Sequence, residues 1–107
     1  MAGMYQLKDL LFLAAQEGAE ELLLEPDQPP RMRLHGKVRV LDGPLLTSDQ
    51  VRELLRSIAT EEQRRELELC GDADFRYTAE HLTQFSVHAR MQGKRLHVKI
   101  NNLSFSG

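Results

Sequence analysis

Hydrophobic and polar side chains alternate with a period of two over residues 85–100, which predicts a β-hairpin with two different faces. We place the turn of this hairpin at Gln92-Gly93. Because an apolar face is buried against a core, the polar face is left for water or for a partner. The predicted apolar pairs are Phe85 with Ile100, Val87 with Val98 and Ala89 with Leu96, and the polar pairs are Ser86 with Lys99, His88 with His97 and Arg90 with Arg95.

Helical periodicity and capping residues predict three helices. Apolar residues recur at helical spacing from Leu7 to Glu17, and Gly18 stands where a helix commonly ends in the left-handed conformation. Two capping boxes, at residues 47–50 and 60–63, start two further helices, in which a Thr hydroxyl and a Gln amide satisfy free backbone N–H groups. The second of these helices is expected to end at Gly71.

Short alternating runs predict four more strands. One runs from Glu21 to Glu25, a hairpin around His35-Gly36 contributes two, and Asp74 to Tyr77 contributes the fourth. The element order is therefore helix, three strands, two helices, three strands. This order predicts the α+β class with a mostly antiparallel sheet of about six strands, an N-terminal helix and a central two-helix insertion. We expect a single domain over residues 1–100 and a C-terminal tail over 101–107.

Composition and charge narrow the classes of function. The 107 residues are 41% hydrophobic and 28% charged, which is typical of one globular domain. All 16 acidic residues precede residue 81, whereas four of the 14 basic residues follow it. A local basic patch suits a phosphate, a carboxylate or an acidic protein surface. The overall charge of −2 argues against a nucleic-acid partner, since such domains are usually strongly basic.

Cysteine usage and hydropathy indicate the compartment. Cys70 is the only cysteine, so no internal disulfide is expected, and its place at the end of an acidic helix indicates an inert thiol. The sequence shows no leader pattern and no apolar run long enough to span a bilayer. We therefore expect a soluble, cytoplasmic protein without membrane insertion.

An ordered series of motifs resembles the amino-terminal domain of the PilT-like type IV pilus retraction ATPases. Residues 18–24 and 29–39 are similar to the family's G-A-S-D-L-H-L and P-P-x-x-R-x-D-G-x-x-R, and residues 46–67 are similar to L-T-x-x-x-V-x-x-L-L followed by E-Q-R-x-x-L. Residues 74–77 and 85–88 are similar to D-F-S-Y and F-R-V-N. The resemblance implies a PAS-like α+β module, which in that family packs against the motor domain of a neighbouring subunit in a hexameric ring.

The sequence also departs from the family pattern. It contains no G-x-x-x-x-G-K-[ST] motif, so we expect no ATP hydrolysis by this chain and no enzymatic activity. In the family, arginines of the late hairpin approach nucleotide bound by the adjacent motor domain. The resemblance places Gln84 and Ser86 at two of these positions and Lys99 at another, which weakens the expectation of nucleotide contact. Leu23 stands at the family's histidine position and His88 at its asparagine position.

The polar face of the late hairpin is the best candidate site. Arg90 opposite Arg95 is a like-charge pair, which costs stability unless the side chains splay apart or an anion lies between them. We interpret it as an anion or acidic-partner site completed by Lys94, Lys99, His88 and His97. The alternative is a solvated face whose charges are screened by salt. Two histidines without a third ligand predict no metal site, and nothing predicts a cofactor.

Three hypotheses about function follow. The first is a freestanding interaction module that docks on a pilus or secretion motor ATPase, with a homodimer through a sheet edge as a further option. The second is a PAS-like sensor of a small ligand or nucleotide, although the inward residues are large enough to fill such a pocket. The third is the amino-terminal piece of a longer ATPase. The residues predicted to point inward are Leu22, Met32, Val38, Phe75, Phe85, Val87 and Val98.

Overall fold

A computed structural model describes residues 6–79 and 83–103. Within these residues, three helices and a six-stranded antiparallel sheet confirm the predicted α+β class. The helices are α1 (Leu7–Glu17), α2 (Ser48–Arg56) and α3 (Glu61–Cys70), and the strands are β1 (Glu21–Leu24), β2 (Arg31–Leu34), β3 (Lys37–Val40), β4 (Asp72–Thr78), β5 (Gln84–Gln92) and β6 (Arg95–Asn102).

The helix ends form where the sequence predicts them. At the start of α2, the Thr47 hydroxyl accepts a hydrogen bond from the Gln50 N–H at 3.1 Å, and the Gln50 side chain accepts one from the Thr47 N–H at 2.8 Å. The same capping box joins Thr60 and Gln63 at the start of α3. α1 ends at Gly18, whose φ of 73° is the left-handed conformation that glycine adopts without strain.

The strand order in the sheet is β3-β2-β1-β6-β5-β4, and every neighbouring pair is antiparallel. β6 therefore joins the two hairpin-like halves of the sheet by pairing with both β1 and β5. The three helices bury their apolar residues in the same cluster as one face of this sheet. We call that face the inner face and the opposite one the outer face.

The inner face is packed largely as predicted. Leu22, Met32, Phe85, Val87 and Val98 are buried, and Phe75 packs half-buried against them. The prediction for Val38 is wrong: this residue is exposed because it lies opposite Arg33, on the outer face of the edge strand β3.

The register of the late hairpin also differs from the prediction. Gly93 and Lys94 form the turn, so Gln92 lies opposite Arg95 and each pair is shifted by two residues. A tight two-residue turn favours glycine at its first position, and Gly93 has a φ of 65° there. A slip of two residues keeps every side chain on its predicted face. β6 extends to Asn102, two residues into the segment expected to be a tail.

Candidate functional site

The outer face of β5 and β6 carries five of the six predicted site residues, and Lys94 lies in the turn between the strands. Arg90 and Arg95 share this face, as predicted, but they are not opposite each other. The register places His97 opposite Arg90, and Lys99 opposite His88. The predicted Arg90–Arg95 and His88–His97 pairs are therefore wrong, because the turn lies one residue further along the chain than expected.

The strands on either side of this hairpin bring acidic side chains to the same face. β4 contributes Asp72 and Asp74, which lie opposite Arg90 and His88. On the other side, Glu21 belongs to β1, and Glu25 follows that strand directly. Sequence reasoning missed these neighbours because they are adjacent only in the folded sheet.

Three of the predicted site residues contact carboxylates. His88 Nδ1 lies 2.5 Å from an oxygen of Asp74, and His97 Nδ1 lies 3.4 Å from an oxygen of Glu25. Arg95 Nη2 lies 2.8 Å from a carboxylate oxygen of Asp27, which follows β1 in the chain. These contacts partly neutralise the basic face that the sequence predicts.

Glu25 is the centre of the densest polar cluster on this face. Its carboxylate accepts hydrogen bonds from an Arg31 guanidinium nitrogen and, at 3.3 Å, from the Gln28 amide. Its second oxygen contacts His97. The side chains of Arg31 and Glu25 are only 22% and 30% exposed, so this ion pair is better shielded from water than the pairs that Arg95 and His88 make on the same face.

Within the described ranges 6–79 and 83–103, Arg90, Lys94 and Lys99 have no carboxylate oxygen within 4 Å. We call these three the unpaired hairpin cations. Arg90 and Lys99 border a shallow open depression of about 510 Å³, whose other walls include Asp72, Glu21 and Asn101. The outer face therefore has mixed charge, and its cations without an ion pair among the described residues are Arg90 and Lys99 of the hairpin and Arg76 of β4, which lies opposite Ser86.

Ser86, His88 and Asp74 form a row in the order that serine hydrolases use. The Ser86 hydroxyl lies 3.3 Å from His88 Nε2, and His88 Nδ1 contacts Asp74. However, β5 lies between β4 and β6, so its backbone N–H groups bond to neighbouring strands rather than forming an oxyanion hole. The exposed row stands on an open sheet surface, and we assign it no catalytic role.

A second concave region lies between α1 and the β4–β5 end of the sheet. It has a volume of about 520 Å³ and is lined by Leu11, Phe12, Tyr77 and Phe85, with Lys8 and Asp9 among its polar residues. Phe12 is 62% exposed there. This groove is open to solvent and lies beside the packed core, whereas the sensor hypothesis needs a pocket that encloses a ligand.

Comparison with known proteins agrees with this fold. No family model matches the chain. The chain is 32% identical over 88 residues to the type IV pilus retraction ATPase PilT of Pseudomonas aeruginosa, and 28% identical over 87 residues to the type IV pilus ATPase PilU of the same organism. These matches cover 82% and 81% of this chain but only 26% and 23% of the relatives, so the chain spans about a quarter of their length.

Solved structures show the same architecture. A crystal structure of the pilus retraction motor PilT with bound ADP matches 95% of this chain with a TM-score of 0.86 and 22% identity, over 30% of that protein. The Legionella pneumophila ATPase DotB matches 92% of this chain with a TM-score of 0.74 and 15% identity, over 29% of its length.

Fold and sequence similarity together define an α+β domain of the kind found in the amino-terminal region of type IV pilus ATPases. The chain is homologous to the amino-terminal region of PilT-like ATPases, which confirms the resemblance drawn from its motifs. In the described part of the chain, no helix has both the length and the hydropathy needed to cross a membrane.

Proposed function

We propose that this chain is a non-catalytic interaction domain that docks on a motor ATPase related to PilT. The homology supports this proposal, because the chain matches the non-motor portion of these ATPases and contains no phosphate-binding G-x-x-x-x-G-K-[ST] motif. A domain of this kind acts by binding a surface rather than by chemistry of its own. The proposal places the protein in the cytoplasm, where ATP-driven motors find their nucleotide.

The observation that carries the proposal is the location of the unpaired hairpin cations, Arg90, Lys94 and Lys99. All three are exposed: Arg90 and Lys99 lie on the face of the sheet that the helices leave uncovered, and Lys94 lies in the hairpin turn beside it. An acidic patch on a partner gains new ion pairs with these groups and displaces no existing ones. Arg95, His88 and His97 complete the proposed contact surface, where partner carboxylates compete with Asp27, Asp74 and Glu25.

Electrostatic docking of this kind has a measurable signature. Exposed charges are screened over about 8–10 Å at physiological salt, so added salt weakens the complex and slows association. An interface built mainly on apolar contacts shows much less dependence on salt. The salt dependence of binding therefore tests the nature of the surface separately from the identity of the partner.

The direct test mixes the purified chain with PilT of Pseudomonas aeruginosa and measures binding by calorimetry. We expect the variant Arg90→Glu/Lys99→Glu to bind about tenfold more weakly, since it removes two interface charges and introduces repulsion. The matched control, Lys8→Glu/Lys37→Glu, makes the same change in net charge away from the hairpin and retains affinity. Equal weakening by both variants, or no binding of the unmodified chain, contradicts the proposal.

The proposal also covers the alternative in which this domain is the amino-terminal piece of a longer ATPase. If the natural reading frame continues into a motor domain, the hairpin surface docks on a motor domain of the same assembly, and the chain is part of an ATPase subunit. Sequencing the encoding frame distinguishes this arrangement from a freestanding module. Titration of the chain alone with ATP tests whether it binds nucleotide. If ATP binds the unmodified chain but not Arg90→Glu/Lys99→Glu, the nucleotide contact is assigned to the hairpin.

A sensor of a small apolar ligand is the second candidate function. The groove between α1 and the sheet is open to solvent and does not enclose a ligand, but Phe12 and Tyr77 offer aromatic surface in it beside the polar side chains of Lys8 and Asp9. A screen of aromatic carboxylic acids by thermal shift tests this candidate. We expect a ligand of this groove to lose its effect in Phe12→Ala, while Arg90→Glu/Lys99→Glu retains it.

A further inference from the structure

A groove lined by arginines runs between α2 and α3, on the inner side of the sheet. It has a volume of about 530 Å³. Met91 and Leu96 of the late hairpin contribute apolar side chains to it, together with Leu55 of α2 and Leu67 of α3. Four guanidinium groups border this apolar floor. They belong to Arg52 and Arg56 of α2 and to Arg64 and Arg65 of α3. The carboxylates of Glu61 and Glu68 lie on the same rim, so the lining carries four positive and two negative groups.

Two of these arginines lack an acidic partner. Arg56 pairs with Glu53 at 3.7 Å, and Arg65 pairs with Glu61 at 3.3 Å, each within its own helix. In the part of the chain that the structure describes, Arg52 and Arg64 make no ion pair.

Arg64 also has a side-chain nitrogen without a hydrogen-bond partner among the described residues. This atom is Nε, and it is shielded from water. Buried polar groups are normally hydrogen-bonded, so the groove presents a donor that lacks an acceptor as well as an excess of positive charge.

A different side of α3 has the complementary chemistry. Glu62, Glu66 and Leu69 occur at positions i, i+4 and i+7, so their side chains form one stripe along the helix. Leu69 is 78% exposed. Leu67 points into the core and Arg64 borders the groove, whereas the stripe lies on another, solvent-facing side of the same helix, with Arg65 between the two surfaces. Its two carboxylates and one exposed leucine match a cationic groove with an apolar floor.

We propose that the arginine groove of one copy of this chain binds the Glu62–Glu66–Leu69 stripe of a second copy. Since groove and stripe are different surfaces, the contact is head-to-tail, and each copy uses both surfaces at once. Association is weak and salt-sensitive, because it joins exposed charges around one leucine side chain. Such contacts close into a ring or extend as a filament according to the rotation between copies.

Charge reversal of each surface provides the test. The groove variant is Arg52→Glu/Arg64→Glu, and the stripe variant is Glu62→Arg/Glu66→Arg. We expect sedimentation of the full chain to depend on concentration, and each variant alone to associate at least about tenfold more weakly, as expected when two surface ion pairs are lost. An equimolar mixture of the two variants regains association, because each reversed surface then meets its complement.

Controls separate this contact from the proposed docking on a motor ATPase. The outer-face variant Arg90→Glu/Lys99→Glu retains self-association even if it loses its motor partner, and circular dichroism establishes that each variant is folded. Sedimentation of the unmodified chain as a monomer at every concentration overturns the inference, as does a mixture that fails to regain association. Binding of an acidic peptide to the groove without self-association also overturns it and assigns the groove to another acidic chain.

Discussion

The two faces of the late hairpin are built by the same strands but depend on different parts of the sequence. On the inner face, Phe85, Val87, Leu96, Val98 and Ile100 are all at most 2% exposed. Their burial follows from local alternation, whatever lies on the neighbouring strands. On the outer face, the charge of the site depends on which strands come next in the sheet. Alternation with a period of two therefore predicts which side chains of a strand are buried, whereas the strand order of the sheet determines which charged side chains lie beside the others.

The largest effect expected from this comparison is the loss of a side chain from the inner face. Phe85 is 2% exposed, and Phe85→Ala leaves a cavity where β5 packs against the helices. We expect the free energy of unfolding to fall by about 3–5 kcal/mol, measured by urea denaturation. The control is its neighbour on the outer face, since Ser86→Ala removes one exposed hydroxyl and shifts stability by less than about 0.5 kcal/mol. Similar losses in both variants contradict the assignment of faces.

Local features of the sequence were sufficient to predict most of the fold. The capping boxes at Thr47 and Thr60 and the glycines at 18 and 71 determine where helices begin and end through hydrogen bonds and backbone angles within a few residues. Alternation assigned the hairpin side chains to the correct faces. Such signals are readable because each depends on residues that are close in the chain.

The parts that could not be predicted depend on residues far apart in the sequence. Asp27 and Arg95, or Asp74 and His88, become neighbours only because β6 pairs with β1 and β5 pairs with β4. The predicted burial of Val38 is also wrong, because strand pairing places this residue opposite Arg33 on the outer face of the sheet. The charge balance of the candidate site could therefore not be predicted, although all of its residues are present in the sequence.

The next largest effect is expected at Glu25, because its ion pair with Arg31 is partly buried although it lies on the outer face. Glu25→Gln leaves the partly buried Arg31 without its carboxylate, and the Arg31 Nε atom is already shielded from water without a hydrogen-bond partner among the described residues. We expect a loss of about 1–3 kcal/mol in urea denaturation. Glu53→Gln is the matched control, since it breaks an exposed pair with Arg56 that contributes less than about 1 kcal/mol. If the two variants lose equal stability, the Glu25 cluster is no better shielded than an ordinary surface pair.

A smaller effect is expected where α2 holds the hairpin turn. The Ser48 hydroxyl donates to the Lys94 carbonyl at 3.0 Å and accepts from the Leu96 N–H at 3.3 Å, which links the start of the helix to the turn. Ser48→Ala is expected to cost about 1 kcal/mol and to speed hydrogen exchange of the Leu96 amide. Ser57→Ala is the control, because among the described residues that hydroxyl bonds to the Leu54 carbonyl of its own helix end. Unchanged exchange at Leu96 in Ser48→Ala shows that strand pairing alone maintains the turn.

The smallest effect on stability, and the sharpest test of the outer face, is expected from Asp27→Asn. The Asp27 and Arg95 side chains are 71% and 51% exposed, so breaking their ion pair changes the free energy of unfolding by less than about 1 kcal/mol. The same change converts Arg95 into a fourth unpaired cation on the hairpin.

If the hairpin docks on an acidic surface, the affinity of Asp27→Asn for PilT is about two- to threefold higher, and the gain disappears at high salt. Asp9→Asn is the matched control, because it makes the same charge change at an exposed position of α1, which packs against the inner face. A gain in affinity without loss of stability shows that Asp27 limits the positive charge of the docking face. An unchanged affinity means that Arg95 contributes nothing to docking, and the contact surface then contracts to the three unpaired hairpin cations.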